Sequence, residues 1–403
     1  MLTLIAVALS FAVLGTLIYN KVKFGYSILI ASGLLLFLST PSYEALIWVK
    51  EISLEYETIR LILIIVQIGL LGFLYKDSEQ VVRMIKELKG LVPDRRMVIA
   101  SIPAIFGLMP MPGGALVSAP LIDNEGDDLE LSDVHKTFMN WWFRHVWFTI
   151  YPLSLSLILA SALSGVGLYK IALYNTPIFF AHLIIGVIWG VNKIDRSPSQ
   201  RLLVNPFRLI WSLLPIIIAL LLNMILNIPL YISLVVGILT LLVQNKKRYG
   251  LDKVPTLLRK GFSLDLFLAA YGIMLFQGII RRTNSIEPAV VHLQNYIPLF
   301  IVVILVSISA GIFFGHLPGA IGVVFPVFTV LLPVINVQTV SLMFLFIFLG
   351  YFISPIHLCI ILTIEYFGIN LKSFYKRMIL PTTILIIVIL TWITVTGTPF
   401  FFF

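Results

Sequence analysis

The sequence FGLMPMPGGALVSAP, residues 106–120, is apolar, yet it contains three prolines and three glycines. Proline lacks a backbone N–H and clashes with the preceding helical turn, and glycine has a low helix propensity. A continuous helix through residues 110–114 is therefore not expected. Inside a bilayer, broken backbone is tolerated only where protein buries it or where it lines a cavity. The stretch predicts a broken helix at a functional position.

The same pattern returns in the second half of the chain as FGHLPGAIGVVFP, residues 314–326. Pro112-Gly113 matches Pro318-Gly319, and in both copies a further proline follows eight residues later. Downstream, PLSLSLILASALSG at 152–165 matches PIHLCIILTIEYFG at 355–368. Paired interruptions of this kind indicate an internal duplication and often mark a transporter's substrate site. The alternative is coincidence, because proline and glycine are common in membrane helices.

The composition is that of a polytopic membrane protein. The chain has 403 residues, of which 59% are hydrophobic and only 12% are charged, and long apolar runs dominate it. Its single cysteine, Cys359, lies in an apolar run, where we expect neither a disulfide nor a metal cluster. The first apolar run, residues 2–19, lacks the features of a cleaved signal and is interpreted as a membrane span.

We predict an all-α polytopic membrane protein with about ten transmembrane helices and two re-entrant helical hairpins in two inverted-topology repeats. The hairpins are placed at 97–121 and 297–333, around the two broken motifs. The predicted spans are 2–19, 24–40, 59–75, 137–163, 169–191, 208–226, 228–244, 263–281, 337–367 and 378–397.

The distribution of basic residues supports this layout. With the N-terminus outside the plasma membrane, 22 of the 28 lysines and arginines fall in inner segments, as the positive-inside rule requires. Arg144 lies within a span, and five residues fall outside: Lys50, Arg60, Lys170, Arg281 and Arg282. A hairpin that crossed the membrane fully would move every later loop to the other side. Both termini are therefore predicted outside.

The repeats are assigned to residues 1–191 and 208–403, joined by a cytoplasmic linker at 192–207. Two amphipathic stretches, 78–89 and 249–262, are expected to lie as helices in the membrane interface.

The motif GLMPMPGGALVSAP, preceded by PDRR and followed by an acidic segment and NWWFRHVW, resembles an uncharacterised permease family of the ion transporter superfamily. That superfamily also contains gluconate permeases and dicarboxylate and citrate carriers. The resemblance implies an elevator-type transporter and a homodimer. Its scaffold would comprise 1–58 and 208–262, and its mobile domain 59–191 and 263–403. Sodium-coupled dicarboxylate carriers have Ser-Asn-Thr signatures at their hairpin tips, whereas this chain has Pro-Gly-Gly and Pro-Gly-Ala, so their sodium and carboxylate sites do not transfer directly.

The predicted substrate site lies where the two hairpins break. Helices that restart near Gly114 and Ala320 would aim free N–H groups and positive dipole ends at one point, which favours an anion. The predicted binding residues are Pro112, Gly113, Gly114, Ser118, Asn140, Arg144, Pro318, Gly319, Ala320 and Ser354.

Two of these residues have structural alternatives. Ser118 can bond to its own helix backbone instead of a ligand. Arg144 can extend to the cytoplasmic interface, with Trp141 and Trp142 as an interfacial belt.

Four residues are candidate carriers of a coupling proton: His145, His316, His357 and Glu365. Glu365 has a simpler interpretation, in which it is solvated or paired with Lys372 or Arg377. The acidic segment 123–133 lacks calcium-loop spacing and is expected to be a solvated loop before a helix capped by Ser132.

The chain has no GxxxxGK[ST] motif, and no cytoplasmic segment is long enough for a nucleotide-driven domain. We expect a secondary active transporter of a small organic anion, not an enzyme, coupled to H+ with Na+ as the alternative. No cofactor, metal, nucleotide or nucleic acid is expected. The competing hypotheses are an intramembrane enzyme that uses His145 and His316 on a lipid-linked phosphate, and a channel.

Overall fold

The computed structural model describes residues 2–109, 114–196, 206–283, 296–332 and 334–397, and within them the fold is all-helical. The first half contains α1 Leu2–Tyr19, α2 Phe24–Ser39, α3 Ser42–Leu54, α4 Tyr56–Asp77, α5 Gln80–Leu91, α6 Arg95–Leu108, α7 Gly114–Asp127, α8 Asp133–His145, α9 Leu155–Ser164, α10 Leu168–Tyr174 and α11 Thr176–Trp189. The second contains α12 Pro206–Met224, α13 Leu230–Gln244, α14 Val254–Gly261, α15 Leu264–Thr283, α16 Leu299–Phe314, α17 Leu317–Leu331, α18 Val337–Ile353, α19 Leu358–Phe367 and α20 Leu371–Val395. Short 3₁₀ turns occupy Val146–Thr149, Val191–Lys193 and Leu251–Lys253.

The described chain is a multi-pass membrane protein by the length and composition of its helices. Six apolar helical segments are long enough to cross a bilayer, and a seventh results if the bent pair α9 and α10 counts as one span. Five shorter apolar helices accompany them. The predicted class, an all-α polytopic membrane protein, is confirmed at this level.

Two predicted spans are interrupted. The predicted span 137–163 contains a break around Pro152, as the paired sequence pattern indicates, since α8 ends at His145 and α9 begins only at Leu155. The span 337–367 is similarly divided between α18 and α19. Pro152 and Pro355 each lie in one of these interruptions. Neither can supply the N–H that would continue the helical hydrogen bonds. A further break between α9 and α10 turns the chain by 116°.

Helix α3 lies between two predicted spans, where the charged residues Glu44, Lys50 and Glu51 favour an outer loop instead of a helix. The interfacial prediction for 78–89 corresponds to α5, which buries Val81, Met84 and Ile85 on one face.

Helices α6 and α7 double back on each other. Arg95 at the start of α6 forms ion pairs with Glu125 in the last turn of α7 and with Asp128 just after it. In α16 and α17, Val302 and Leu331 line one apolar crevice, which again brings the start of the first helix to the end of the second. The starts of α7 and α17 therefore each lie at the far tip of an antiparallel helix pair.

The two halves of the chain interlock in a reciprocal manner. Helix α7 packs on α19 of the second half, and α17 packs on α9 of the first half. Similarly, α2 packs on α15 while α13 packs on α4. Each hairpin is thus held by the segment that follows the break in the other half.

The acidic segment 123–133 differs from its prediction as a solvated loop, because α7 continues through Asp127. Asp123 and Asp127 both accept hydrogen bonds from Lys136, whose side chain is buried. Burial alone would lower the pKa of Lys136, but the bonds to these two carboxylates outweigh it and raise that pKa. The predicted cap is confirmed, since the Ser132 side chain accepts a hydrogen bond from the His135 N–H.

A close helix crossing joins α16 to α18 through Gly311 and Gly350. A Cβ atom on Gly311 would lie 2.6 Å from the Tyr351 nitrogen, and one on Gly350 would lie 2.9 Å from the Ile308 carbonyl carbon. Backbone atoms cannot yield as a side-chain tip can, so only glycine fits at this crossing.

Gly311→Ala is expected to destabilise the protein by about 1–3 kcal/mol, because it forces the two helices apart. The measurement is the thermal unfolding midpoint in detergent. The matched control is Gly33→Ala, since a Cβ at Gly33 meets no atom within 4 Å and alanine favours helix. Equal midpoints for the two variants would contradict this account of the crossing.

Candidate functional site

The tip of the first hairpin lies directly against Arg144. Gly114, the first residue of α7, is buried, and a Cβ there would come within 2.6 Å of Nη1 and 2.9 Å of Cζ of Arg144. The guanidinium therefore occupies the space that the missing side chain leaves. Pro112 and Gly113, the other predicted binding residues of this tip, lie outside the described residues.

The charge of Arg144 is buried and unmatched. The residue is only 5% exposed, and its Nε and Nη1 atoms have no hydrogen-bond partner within the described chain. No carboxylate among those residues pairs with it. A buried cation without a partner is costly, about 2.5–3.5 kcal/mol on membrane-insertion scales. An anion bound here would remove much of that cost.

The alternative in which Arg144 extends to the interface does not fit this geometry. Trp141 and Trp142, its supposed interfacial belt, are 1% and 0% exposed. Trp141 packs against Phe352 with 3.8 Å between ring centroids, and the Trp142 indole N–H donates to the carbonyl of His182. The interpretation of both tryptophans as interfacial is wrong, because the aromatic rings of α18 cover them.

Ser118 and Asn140 are brought together, but they bond mainly to the protein. The Ser118 hydroxyl lies 2.6 Å from Oδ1 of Asn140 and 3.1 Å from the Gly114 carbonyl. The Asn140 amide donates to the Ala115 carbonyl at 3.1 Å and to Oγ1 of Thr363 at 3.3 Å. This buried hydrogen-bond network of Ser118, Asn140 and Thr363 joins α7, α8 and α19, so it holds the hairpin tip in place across both halves of the chain.

The second hairpin tip differs from its prediction. Helix α17 starts at Leu317, three residues before the predicted Ala320. His316 caps it: Nδ1 accepts from the Gly319 N–H at 3.2 Å, and the His316 carbonyl accepts from the Ala320 N–H at 3.0 Å. Pro318 has no N–H to offer. The prediction of free N–H donors at this tip is wrong, because His316 accepts hydrogen bonds from the Gly319 and Ala320 N–H groups.

The second interruption, residues 354–357, packs under that tip. The Ser354 hydroxyl donates to the Ile312 carbonyl of α16 at 2.6 Å. A Cβ on Gly315 would contact the backbone of Ile356, and Gly315 has φ of +55°, a conformation that favours glycine. Ser354 therefore fastens the break to the hairpin instead of pointing a free hydroxyl at a ligand.

The proton-carrier candidates separate into two groups. His145 and His357 are buried with ring centroids 4.9 Å apart, and His357 has no partner on either ring nitrogen among the described residues. His316 is exposed and caps α17, and Glu365 is exposed near the end of α19. Only the first two histidines share the interior with Arg144.

Three residues of this interior were not singled out from the sequence. Gly107 packs on the backbone of Arg144, and Thr363 accepts a hydrogen bond from the Asn140 amide. Tyr351 packs on His357 with 3.9 Å between ring centroids. A threonine, a tyrosine and a glycine in apolar runs carry no motif that distinguishes them from ordinary helix residues.

A family model for a protein of unknown function, DUF401, matches residues 2–397. The chain belongs to the DUF401 family. A comparison with curated proteins found no match. The family match spans both hairpins and both interruptions of this DUF401 protein, so the interior around Arg144 lies wholly within the family's domain.

Asn140→Ala is expected to lower the stability of this DUF401 protein by about 1–3 kcal/mol, because it removes buried hydrogen bonds to partners on two other helices, α7 and α19. Asn20→Ala serves as the control, since that amide is exposed and bonds only to the Thr16 carbonyl of its own helix end. Thermal unfolding in detergent measures both. An unfolding midpoint for Asn140→Ala as high as that of Asn20→Ala would show that this hydrogen-bond network does not stabilise the tip of the first hairpin.

Proposed function

We propose that this chain is an elevator-type secondary active transporter that moves a small organic anion across the plasma membrane. The observation that carries the proposal is the buried, unpaired guanidinium of Arg144 against the start of α7. The N-terminal end of a helix also carries a partial positive charge. Two positive groups at one buried point would destabilise the fold if nothing bound there, but together they would bind a carboxylate well.

The proposal includes about ten spans in two inverted repeats, with the hairpins re-entrant from opposite sides. The reciprocal packing of α7 on α19 and α17 on α9 supports it, because a pseudo-two-fold axis generates such pairs. The doubled-back geometry of α6 with α7 also supports it, since both ends of that hairpin meet at Arg95 and Glu125.

The grouping of chain segments at the two ends of the molecule agrees with the proposed sidedness. Residues near 55–60, 161–168, 223–230 and 274–281, all proposed outside, line one cavity of about 660 Å³. At the opposite end, the Gln80 side chain bonds to Gln244 and Asn245, and these segments are all proposed to be cytoplasmic.

That outer cavity fits a transporter's entrance. It lies between residues of the proposed scaffold, such as Asn223 and Leu230, and residues of the proposed mobile domain, such as Ser161 and Gln277. Two arginines and two glutamates are among its lining residues: Arg60, Arg281, Glu55 and Glu57. Alternating access requires a boundary between scaffold and mobile domain that is open at one end, and this cavity lies on such a boundary. Coupling to a proton, with sodium as the alternative, and assembly as a homodimer stay predictions.

Sidedness is testable in a Cys359→Ser background with single cysteines at Tyr43 and Lys246, which are both exposed. A membrane-impermeant maleimide added to intact cells is expected to label Tyr43→Cys and not Lys246→Cys. After the membrane is permeabilised, both should react. Labelling of both positions from the same side would contradict the inverted repeats.

The role of Arg144 predicts opposite effects on stability and binding. Arg144→Met removes an uncompensated buried charge, so it should raise the unfolding midpoint of the ligand-free protein. The same variant should lose the rise in midpoint that an organic acid gives the wild type, because truncating one partner of a buried charge pair costs about 2–5 kcal/mol of binding. The screen uses succinate, citrate, gluconate and lactate, with the amide of the responding acid as a neutral probe.

Arg377→Met is the matched control. Arg377 is half-buried and its Nε also lacks a partner among the described residues, but its Nη2 donates to the Trp189 carbonyl at 2.8 Å and its guanidinium lies over the Phe138 ring. Its loss should therefore lower the midpoint and leave the response to the acid intact. A destabilised Arg144→Met protein that still responds to the acid would remove the proposed role.

A further inference from the structure

The fold brings Cys359, which the sequence left without chemical neighbours, beside two buried histidines. One ligand atom each from His145, His357 and Cys359 lies within 4.8 Å of the others. His145 closes α8 of the first half, whereas His357 and Cys359 belong to the second interruption and the start of α19. We propose that these three residues bind one transition-metal ion of the zinc class, independently of any transport activity.

His145 already has the orientation of a metal-ligating imidazole. Its Nδ1 lies 2.6 Å from the Trp141 carbonyl, so this nitrogen carries the proton and donates it. The lone pair is then on Nε2, which faces the hydroxyl of Tyr351 at 3.4 Å. Metal-binding histidines almost always donate their second N–H to a carbonyl or carboxylate in this way.

His357 supplies the independent indication that something binds here. It is 1% exposed, and neither ring nitrogen makes a hydrogen bond of good geometry in the described part of the chain. Its ring is fixed by stacking on Tyr351, with 3.9 Å between centroids. Buried polar atoms without partners are rare in folded proteins, because each costs about 1–3 kcal/mol. A bound ion would use one of these nitrogens.

The donor set selects the metal. A thiolate and two imidazoles suit Zn²⁺ and its borderline neighbours, whereas Mg²⁺ and Ca²⁺ prefer oxygen ligands. Around tetrahedral zinc, such ligand atoms lie roughly 3.3–3.7 Å apart. The distances between the three ligand atoms would therefore shorten by about 1 Å when an ion binds. The fourth position would be taken by water or by the Tyr351 hydroxyl. Cys359 is only partly buried, so it marks the side from which an ion enters.

The test is a Co²⁺ titration of the full-length protein in detergent, followed by absorbance. The wild type is expected to bind one Co²⁺ per chain, with a thiolate-to-cobalt charge-transfer band that Zn²⁺ abolishes and excess Mg²⁺ does not. Cys359→Ser should lose the band, because the only thiol is gone. His357→Asn should weaken Co²⁺ binding at least about tenfold.

His182→Asn is the matched control. His182 is likewise buried with no partner on either ring nitrogen among the described residues, but it lies outside the three-residue group. A monodisperse His182→Asn protein should keep the band and the wild-type affinity. The proposal is overturned if the folded wild type shows no band, if His357→Asn binds Co²⁺ with unchanged affinity, or if monodisperse His182→Asn loses the band as Cys359→Ser does.

Discussion

The guanidinium of Arg144 lies against the backbone of Gly114, where α7 begins after the break of the first hairpin. A side chain of any size at Gly114 would displace that guanidinium, and a continuous helix through the break would close the space. The charge stays buried because α6, α7 and α8 pack around it, with Gly107 allowing α6 to contact the Arg144 backbone. The break, the glycines and the arginine therefore form one unit.

The surrounding polar residues maintain this unit instead of adding to its charge. Asn140 links α7 to α19, and Ser354 links the second interruption to α16. His316 caps α17 and uses donors that would otherwise be free. The two hairpins are thus alike in architecture and different in chemistry: the first lies against the Arg144 cation of α8, whereas the second is largely satisfied by His316 and Ser354.

The sequence was sufficient to predict an all-helical membrane protein with interrupted helices, because hydropathy and proline or glycine breaks act locally. Pro112, Pro152, Pro318 and Pro355 remove backbone donors wherever the chain places them, so the positions of the breaks could be read directly. The hydrogen-bond partners of polar side chains could not be predicted in this way. Whether Ser118 bonds to Asn140, or whether Cys359 lies near His145, depends on contacts between helices far apart in the chain. Burial of Trp141 likewise depends on Phe352, which no local pattern identifies.

The central claim is that Arg144 holds an anion at the start of α7. The most direct measurement is anomalous diffraction from crystals of the protein grown with bromide, which serves as a simple anion that marks its own position. The account predicts a bromide peak within hydrogen-bonding distance of the Arg144 guanidinium, and no such peak there in Arg144→Met crystals. Bromide found only at surface lysines and arginines, with the Arg144 guanidinium paired to a carboxylate of the chain, would contradict it.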